Sequence, residues 1–488
     1  MPFSASDTQR TDRIPRPLLQ LALVVLLGAV MMQLDATMTN IATNTLLRQF
    51  DTTLNTIQWV GTGYLLATAM VIPLSGWAME RFGARTVWMT SLILFVAGSL
   101  LCGLAWSPGS LIAFRIVQGL GGGMVLPLMM AILGQAAGPL MGRLMAVIGI
   151  PTMLGPVLGP VLGGMIVDNL SWRWIFYINL PICLIALVFA WRVIPVERAS
   201  GAGGRLDLLG LLLLSPALAA LVYALAEAGQ RGGVGHWQVL IPLVAGVAML
   251  LGFALHALRN SLPLIDIRLF ATRAFGSAAA AIFACGIVLF GAMALLPLYY
   301  QQVHGDSAAR AGLAMAPMGI GMAISFVLIG KVSSRVSPRT IALVGIICAA
   351  VGSAFFTRLG SDPSAYLLAA AQVVSGFGLG GTLMPIMTAA LGAIDRAAIP
   401  RASTAIRIVQ QLGFSVGSAV MFIVLQHEIG NATAHPGHAI PHELATAYGQ
   451  TFWWVLGFAV LAIVPTLFLP GRAATAAESE VATESVLG

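Results

Sequence analysis

The sequence predicts an all-α integral membrane protein. It comprises fourteen transmembrane helices, arranged as two parallel six-helix bundles with two further helices inserted between them, and both termini are cytoplasmic. Three observations predict this architecture. Apolar runs long enough to cross a bilayer recur along the 488 residues, and about 20 apolar residues suffice for one crossing. Basic residues alternate in a way that fits a single orientation. Two sequence phrases recur at nearly the same displacement.

Composition sets the solvent. Hydrophobic residues make up 58% of the chain and charged residues only 9%, with a mean hydropathy of +0.91. A soluble protein carries roughly 25% charged residues. So much apolar surface needs lipid around it. The 54 glycines suit helices that approach closely inside a membrane. The formal charge of +7 reads as a topology signal. Lys331 is the only lysine, and no basic run interleaves with aromatics, so no nucleic-acid partner is expected. Cys102, Cys183, Cys285 and Cys348 all lie inside apolar runs and read as small buried hydrophobes.

The elements follow in order. The run from 18 to 41 is too long for a cleaved signal and has no small-residue cleavage site after it, so it reads as a retained first helix. Spans at 56–80, 86–106, 109–133, 140–167 and 172–192 complete a first set of six. Two more lie at 206–226 and 237–258, and the last six at 274–302, 308–331, 338–358, 363–391, 402–426 and 448–470. Pro, Gly and charged clusters at 107–109, 201–205 and 361–363 mark joints between them. The organisation is therefore a cytoplasmic N-terminal tail (1–17) and an N-terminal six-helix bundle (18–192), then a linker with two additional helices (193–273). A C-terminal six-helix bundle (274–470) and a disordered cytoplasmic tail (471–488) complete it. With the N-terminus inside, eighteen of the 25 basic residues face the cytoplasm, five face out, and Arg115 and Arg407 are embedded. That imbalance favours an even number of spans.

Internal repetition divides the chain. GWAMERFGART (76–86) returns as GKVSSRVSPRT (330–340), 254 residues later. VQGLGGG (117–123) returns as VSGFGLG (374–380), 257 residues later. Both copies occupy equivalent places, so the repeats are parallel, and the excess spacing is about the length of the middle pair. Two such halves with a site between them suit rocking-bundle transport.

Several residues carry chemistry. Asp35 lies inside an apolar span, where an ionisable group is costly and normally functional. Arg115 sits at matched depth on the fourth span, and a carboxyl held between an apolar bundle and a guanidinium is suited to take up and release a proton. A structural ion pair is the competing reading. Met31 and Thr39 share a helix face with Asp35 and, with Gln118, form one candidate cavity wall. Tyr299, Gln302, Arg407 and Gln411 are candidates from the second half; interfacial anchoring and helix–helix hydrogen bonding compete with that role. Glu80, Arg81 and Arg85 would form a charge network able to latch one conformation, with Gly76 and Gly83 permitting close approach and a tight turn. Gly155, Gly159 and Gly163 make a smooth stripe that Pro156 and Pro160 stiffen. His427, His435, His438 and His442 fit no standard ligand spacing and read as a solvated loop rather than a metal site. No metal, cofactor, nucleotide loop, nucleophile–base pair or pore ring is expected.

LDATMTNIA (34–42), GWAMERFGAR (76–85), FRIVQGLGGG (114–123) and GIPTMLGPVLGPVLGG (149–164) together resemble the major facilitator superfamily. They are most similar to its fourteen-helix branch of drug:proton antiporters, and WRWIFYINLP (172–181) and PLIDIRLFATRAF (263–275) are also typical of that branch. Glu80 stands where the family usually has Asp, and Ser334 replaces the acid in the second copy. Gln372 takes the place of Arg115, and helices 9 to 13 carry no acid except at their ends. The resemblance implies a monomeric multidrug exporter in a bacterial cytoplasmic (inner) membrane. It would let protons in through Asp35 to drive out hydrophobic, cationic or amphipathic compounds, with the glycine stripe sealing the inward leak. A carrier of lipids or other large amphiphiles, with the extra helix pair widening a lateral opening, is the alternative.

Overall fold

The computed structural model describes residues 14–137, 140–195, 206–260, 263–333, 335–359, 364–392, 394–395, 398–433 and 440–471. The expectations for the tails at 1–13 and 472–488 and for the histidines at 435 and 438 fall outside the described residues. Among those described, regular structure is entirely helical. The first half contains α1 (Arg16–Ile41), the short α2 (Thr43–Phe50), α3 (Leu54–Val71) running into α4 (Leu74–Phe82), α5 (Ala84–Gly103) and α6 (Pro108–Ala137). It continues with α7 (Met141–Asn169), α8 (Trp174–Tyr177) and α9 (Asn179–Val193). The middle pair is α10 (Leu208–Arg231) and α11 (Trp237–Arg259). The second half holds α12 (Arg273–Val303), α13 (Ala308–Ala314), α14 (Ala316–Val332), α15 (Pro338–Phe356) and α16 (Ala365–Gly380). It ends with α17 (Leu383–Gly392), α18 (Ile399–Thr433) and α19 (Ile440–Leu467).

Eleven helical stretches among the described residues are long and apolar enough to cross a membrane, and twelve are if α3 and α4 count as one span. Those two helices meet at a 54° bend. The cause is local: Pro73 has no N–H to continue the ladder. Elsewhere the starts are capped by side chains. The Thr53, Ser307 and Ser337 hydroxyls and the Asp207 carboxylate each accept a bond from a first-turn backbone N–H.

The repeat reappears as packing. In the first half α6 lies against α3 and α5, and α1 lies against α7; in the second half α16 lies against α14 and α15, and α12 against α18. Glycines set the distances. A Cβ on Gly119 would come within 2.6 Å of the Tyr64 carbonyl oxygen on α3, and one on Gly121 within 2.5 Å of the Phe95 nitrogen on α5. Their counterparts Gly376 and Gly378 face the Met318 carbonyl on α14 and the Ala349 backbone on α15 in the same way. Gly98 and Gly352, at the first displacement, press against the backbones of Gln118 and Ser375.

The halves meet along two seams. At one, α7 faces α14, and Gly149 lies under the Phe326 ring. At the other, α18 faces α4 and α6. The middle pair is placed by α10, which packs against both α3 and α18. Trp59 of α3 stacks on Tyr223 of α10 at 5.8 Å. The Gln426 side chain of α18 donates to the Gly229 and Gln230 carbonyls at 3.1 Å. The inserted helices therefore lie over this seam, which is the opposite of a widened opening.

Candidate functional site

Asp35 is completely buried on α1, and Arg115 on α6 is 1% exposed. Their pairing is direct. Arg115 Nη1 donates to Asp35 Oδ2 at 2.6 Å, and its Nε donates to the Val60 carbonyl at 3.3 Å. Its guanidinium lies 4.0 Å from the Tyr64 ring centre, a cation–π contact that suits a charge away from water. Asp35 Oδ1 accepts from Gln118 Nε2 at 3.0 Å and from Asn179 Nδ2 at 2.7 Å. Both amides also donate to Ser99 Oγ, at 2.6 and 3.0 Å. Gly98 permits this, because only a residue without a side chain lets α5 bring Ser99 up to Gln118. Three donors thus converge on one carboxylate in an apolar bundle, which is how a buried charge is tolerated.

The cluster includes residues that the sequence reading did not single out: Ser99, Asn179, Tyr64 and the Val60 carbonyl. Asn179 lies within the phrase at 172–181, so its place in that motif was the available signal. Gln118 belongs to the carboxylate cluster rather than to an open cavity wall. Met31 is buried one turn from Asp35, and Thr39 Oγ1 donates to the Asp35 carbonyl at 2.8 Å. Thr39 also lines a cavity of about 200 Å³ shared with Gln58, Val60, Thr62 and Gln230, the last from α10.

The charged end of α4 pairs differently from expectation. Glu80 forms a two-pronged ion pair with Arg401 of α18, at 2.8 and 2.7 Å, instead of a network with Arg81 and Arg85. The reason is geometric: a Cβ on Gly76 would lie 3.2 Å from the Arg401 Cα, so bare backbone lets α4 reach the second half. Ser75 and Thr404 hydroxyls add a 3.0 Å bond across the same contact. Arg81 is exposed, and Arg85 lies 5.7 Å from the Trp191 ring centre. Gly83 turns the chain with φ +83°, a conformation that glycine adopts without strain. On α7, Gly159 and Gly163 lie against Thr37 and Met38 of α1, inside their own half. Gly155, Pro156 and Pro160 lie within the same helix, α7.

In the second half, Gln372 Nε2 donates to the Tyr300 hydroxyl at 2.7 Å. Tyr299 is fully buried, and its ring centre is 5.8 Å from that of Tyr448, whose hydroxyl donates to exposed Gln302 at 2.8 Å. Arg407 Nη1 donates to Gln410 at 2.8 Å, and Gln411 lies half-buried beside it. Among the described residues no group of His, Cys, Asp and Glu could hold a metal ion.

A duplicated helical bundle with one saturated ion pair buried inside it, and clasped halves, defines a multi-pass membrane carrier. The chain belongs to the Major Facilitator Superfamily, whose family pattern matches residues 25–418. It is 38% identical to a multidrug resistance protein B homolog of Mycobacterium tuberculosis, over 95% of this chain and 92% of that one. It is 34% identical to the puromycin resistance protein pur8 of Streptomyces alboniger, over 83% and 82%. The solved structure of the proton:xylose symporter XylE superposes with a TM-score of 0.64 at 15% identity, over 94% of this chain and 97% of that one, a likeness of fold. The protein is thus a membrane transporter of a family that carries rather than transforms its substrates, and the two relatives named above are drug-resistance proteins.

Proposed function

We propose that this chain is a proton-coupled exporter of hydrophobic, cationic or amphipathic compounds, working by alternating access in a bacterial cytoplasmic membrane. The observation that carries the reading is the Asp35–Arg115 cluster: a buried carboxylate whose donors come from α6 and α9. A movement of those helices would change its hold on a proton, and a proton taken up there would weaken its hold on them. The Glu80–Arg401 clasp supplies the other requirement, a contact between halves that can close one end and release. Resistance exporters among the relatives support the direction and the type of cargo. Fourteen crossings follow if α7, with 29 residues, and α14, with 17, join the twelve stretches already counted. Both termini then lie in the cytoplasm, with Arg81 and Arg85 at the clasped end. The protein works as a monomer, with lipid around it and no cofactor.

The test is Asp35→Asn in proteoliposomes. The variant reaches the membrane at normal levels, and pH-gradient-driven export of a cationic dye falls to background. Full gradient-driven export by that variant would overturn the assignment. A labelled phospholipid in the same vesicles separates cargo export from lipid transfer.

A further inference from the structure

The cargo reading above leaves its chemistry open, and one face of α18 narrows it. Pro400, Thr404, Arg407 and Gln411 recur at helical spacing along that helix. Its first turns face the other half: Thr404 bonds Ser75, and Gly76 lies against Pro400 and Arg401. One turn deeper on the same face stands Arg407, on the helix that packs against α4 and α6 of the other half. Its only hydrogen bond among the described residues is to a neutral amide, Gln410, and its buried Nε has no acceptor. On the preceding turn the buried Ser403 hydroxyl is also without a partner.

The contrast with Arg115 and Arg401 is what points to a ligand. Arg115 is matched by Asp35 and Arg401 by Glu80, whereas no carboxylate among the described residues pairs with Arg407. Nor does Asp35 offer a receptor for a cation, since it is fully buried and already takes three donors. A guanidinium facing the opposite half with a free donor is built for a planar, anionic oxygen acceptor. We propose that Arg407 binds a carboxylate or comparable anionic oxygen group on the transported amphiphile, so that acidic and zwitterionic aromatic compounds are preferred cargo. The word cargo rests on the efflux reading; the binding site does not.

Binding is therefore measured apart from transport. The purified full chain is titrated with 1-naphthylacetate, with its neutral amide and with 1-naphthylethylamine, by equilibrium dialysis. The acid binds about tenfold tighter than either analogue, because a site built to pair with a charged acceptor rejects ligands that lack one. Arg407→Gln removes that margin while leaving the amide within about twofold, and Arg407→Lys keeps part of it. Equal binding of the three probes, no binding of the acid, a margin that survives in Arg407→Gln, or equal weakening of all three would each overturn the proposal. If the margin holds but no probe is driven by a pH gradient, the exporter reading fails and the anion site stands.

Discussion

Asp35 takes three donors: Oδ1 accepts from two amides and Oδ2 from the guanidinium. Asn179 and Gln118 therefore hold the carboxylate in place together with Arg115. Asn179→Ala removes the 2.7 Å donor and leaves Oδ1 with one partner. A hydrogen bond to a charged group contributes roughly 1.5–3 kcal/mol, so gradient-driven export should slow by about tenfold or more, read as initial rates in vesicles at matched protein content. Unchanged rates would show that the amide is merely packing. Asp35 and Arg115 were legible in the sequence because charge inside an apolar run stands out. Ser99 and Asn179 were not, because an uncharged polar residue in such a run is common. Only the crossing of α1, α5, α6 and α9 makes these two part of a site.

At the scale of elements, α10 depends on its cap. Burial works against ionising Asp207, yet the Gly210 N–H, His256 and the Leu264 N–H outweigh it and hold the carboxyl below the ordinary aspartate value of 3.8. The Leu264 bond ties the start of α10 to the segment after α11, and the Pro263 carbonyl beside it accepts from Arg401 at 3.2 Å. Asp207→Ala should cost about 1 kcal/mol at neutral pH, the usual value of an N-cap, seen as a lower unfolding temperature in detergent. Since the folded value is depressed, the native stabilisation is complete above the ordinary carboxylate range and is lost as pH falls through the folded value. Wild type and variant should therefore converge only once the pH has fallen below the depressed folded value. Most helix positions were readable from apolar runs and from breakers such as Ser107-Pro108-Gly109, but the break at Pro73 was not, and α18 and α19 extend several residues beyond the expected spans. The partners of α10 were not, because a uniformly apolar helix carries no mark of which neighbours it meets.

For the whole molecule, the clasp at Glu80 and Arg401 joins positions 321 residues apart. Each side chain is only 18% exposed, so solvent screens the pair weakly. Spin labels at exposed Thr86 and Thr340, which the repeat relates, report the spacing of the two halves at that end. Glu80→Gln should move roughly tenfold more molecules to longer distances, about 1.4 kcal/mol. The exchange Glu80→Arg with Arg401→Glu should restore the short distance. An unaltered distribution in Glu80→Gln would mean that the pair does not hold the halves. The division into repeats was visible in the sequence through glycines 119, 121 and 123 and their later copies. The cross-half partner of Glu80 was hidden by its distance along the chain.

The place of α10 gives the molecule a front and a back in the plane of the bilayer. The repeat alone would make its two flanks equivalent, each closed by one helix from either half. Instead one flank is α7 against α14, and the other carries an additional layer whose outermost helix, α11, presents Leu240, Ile241, Val244, Leu251 and Leu255 outward. Lipids drifting past therefore meet two different faces, one of them lined by the exposed leucines, isoleucine and valine of α11. A neighbour settling against α11 therefore meets a layer that the two halves do not share, whereas one on the other side meets both halves directly.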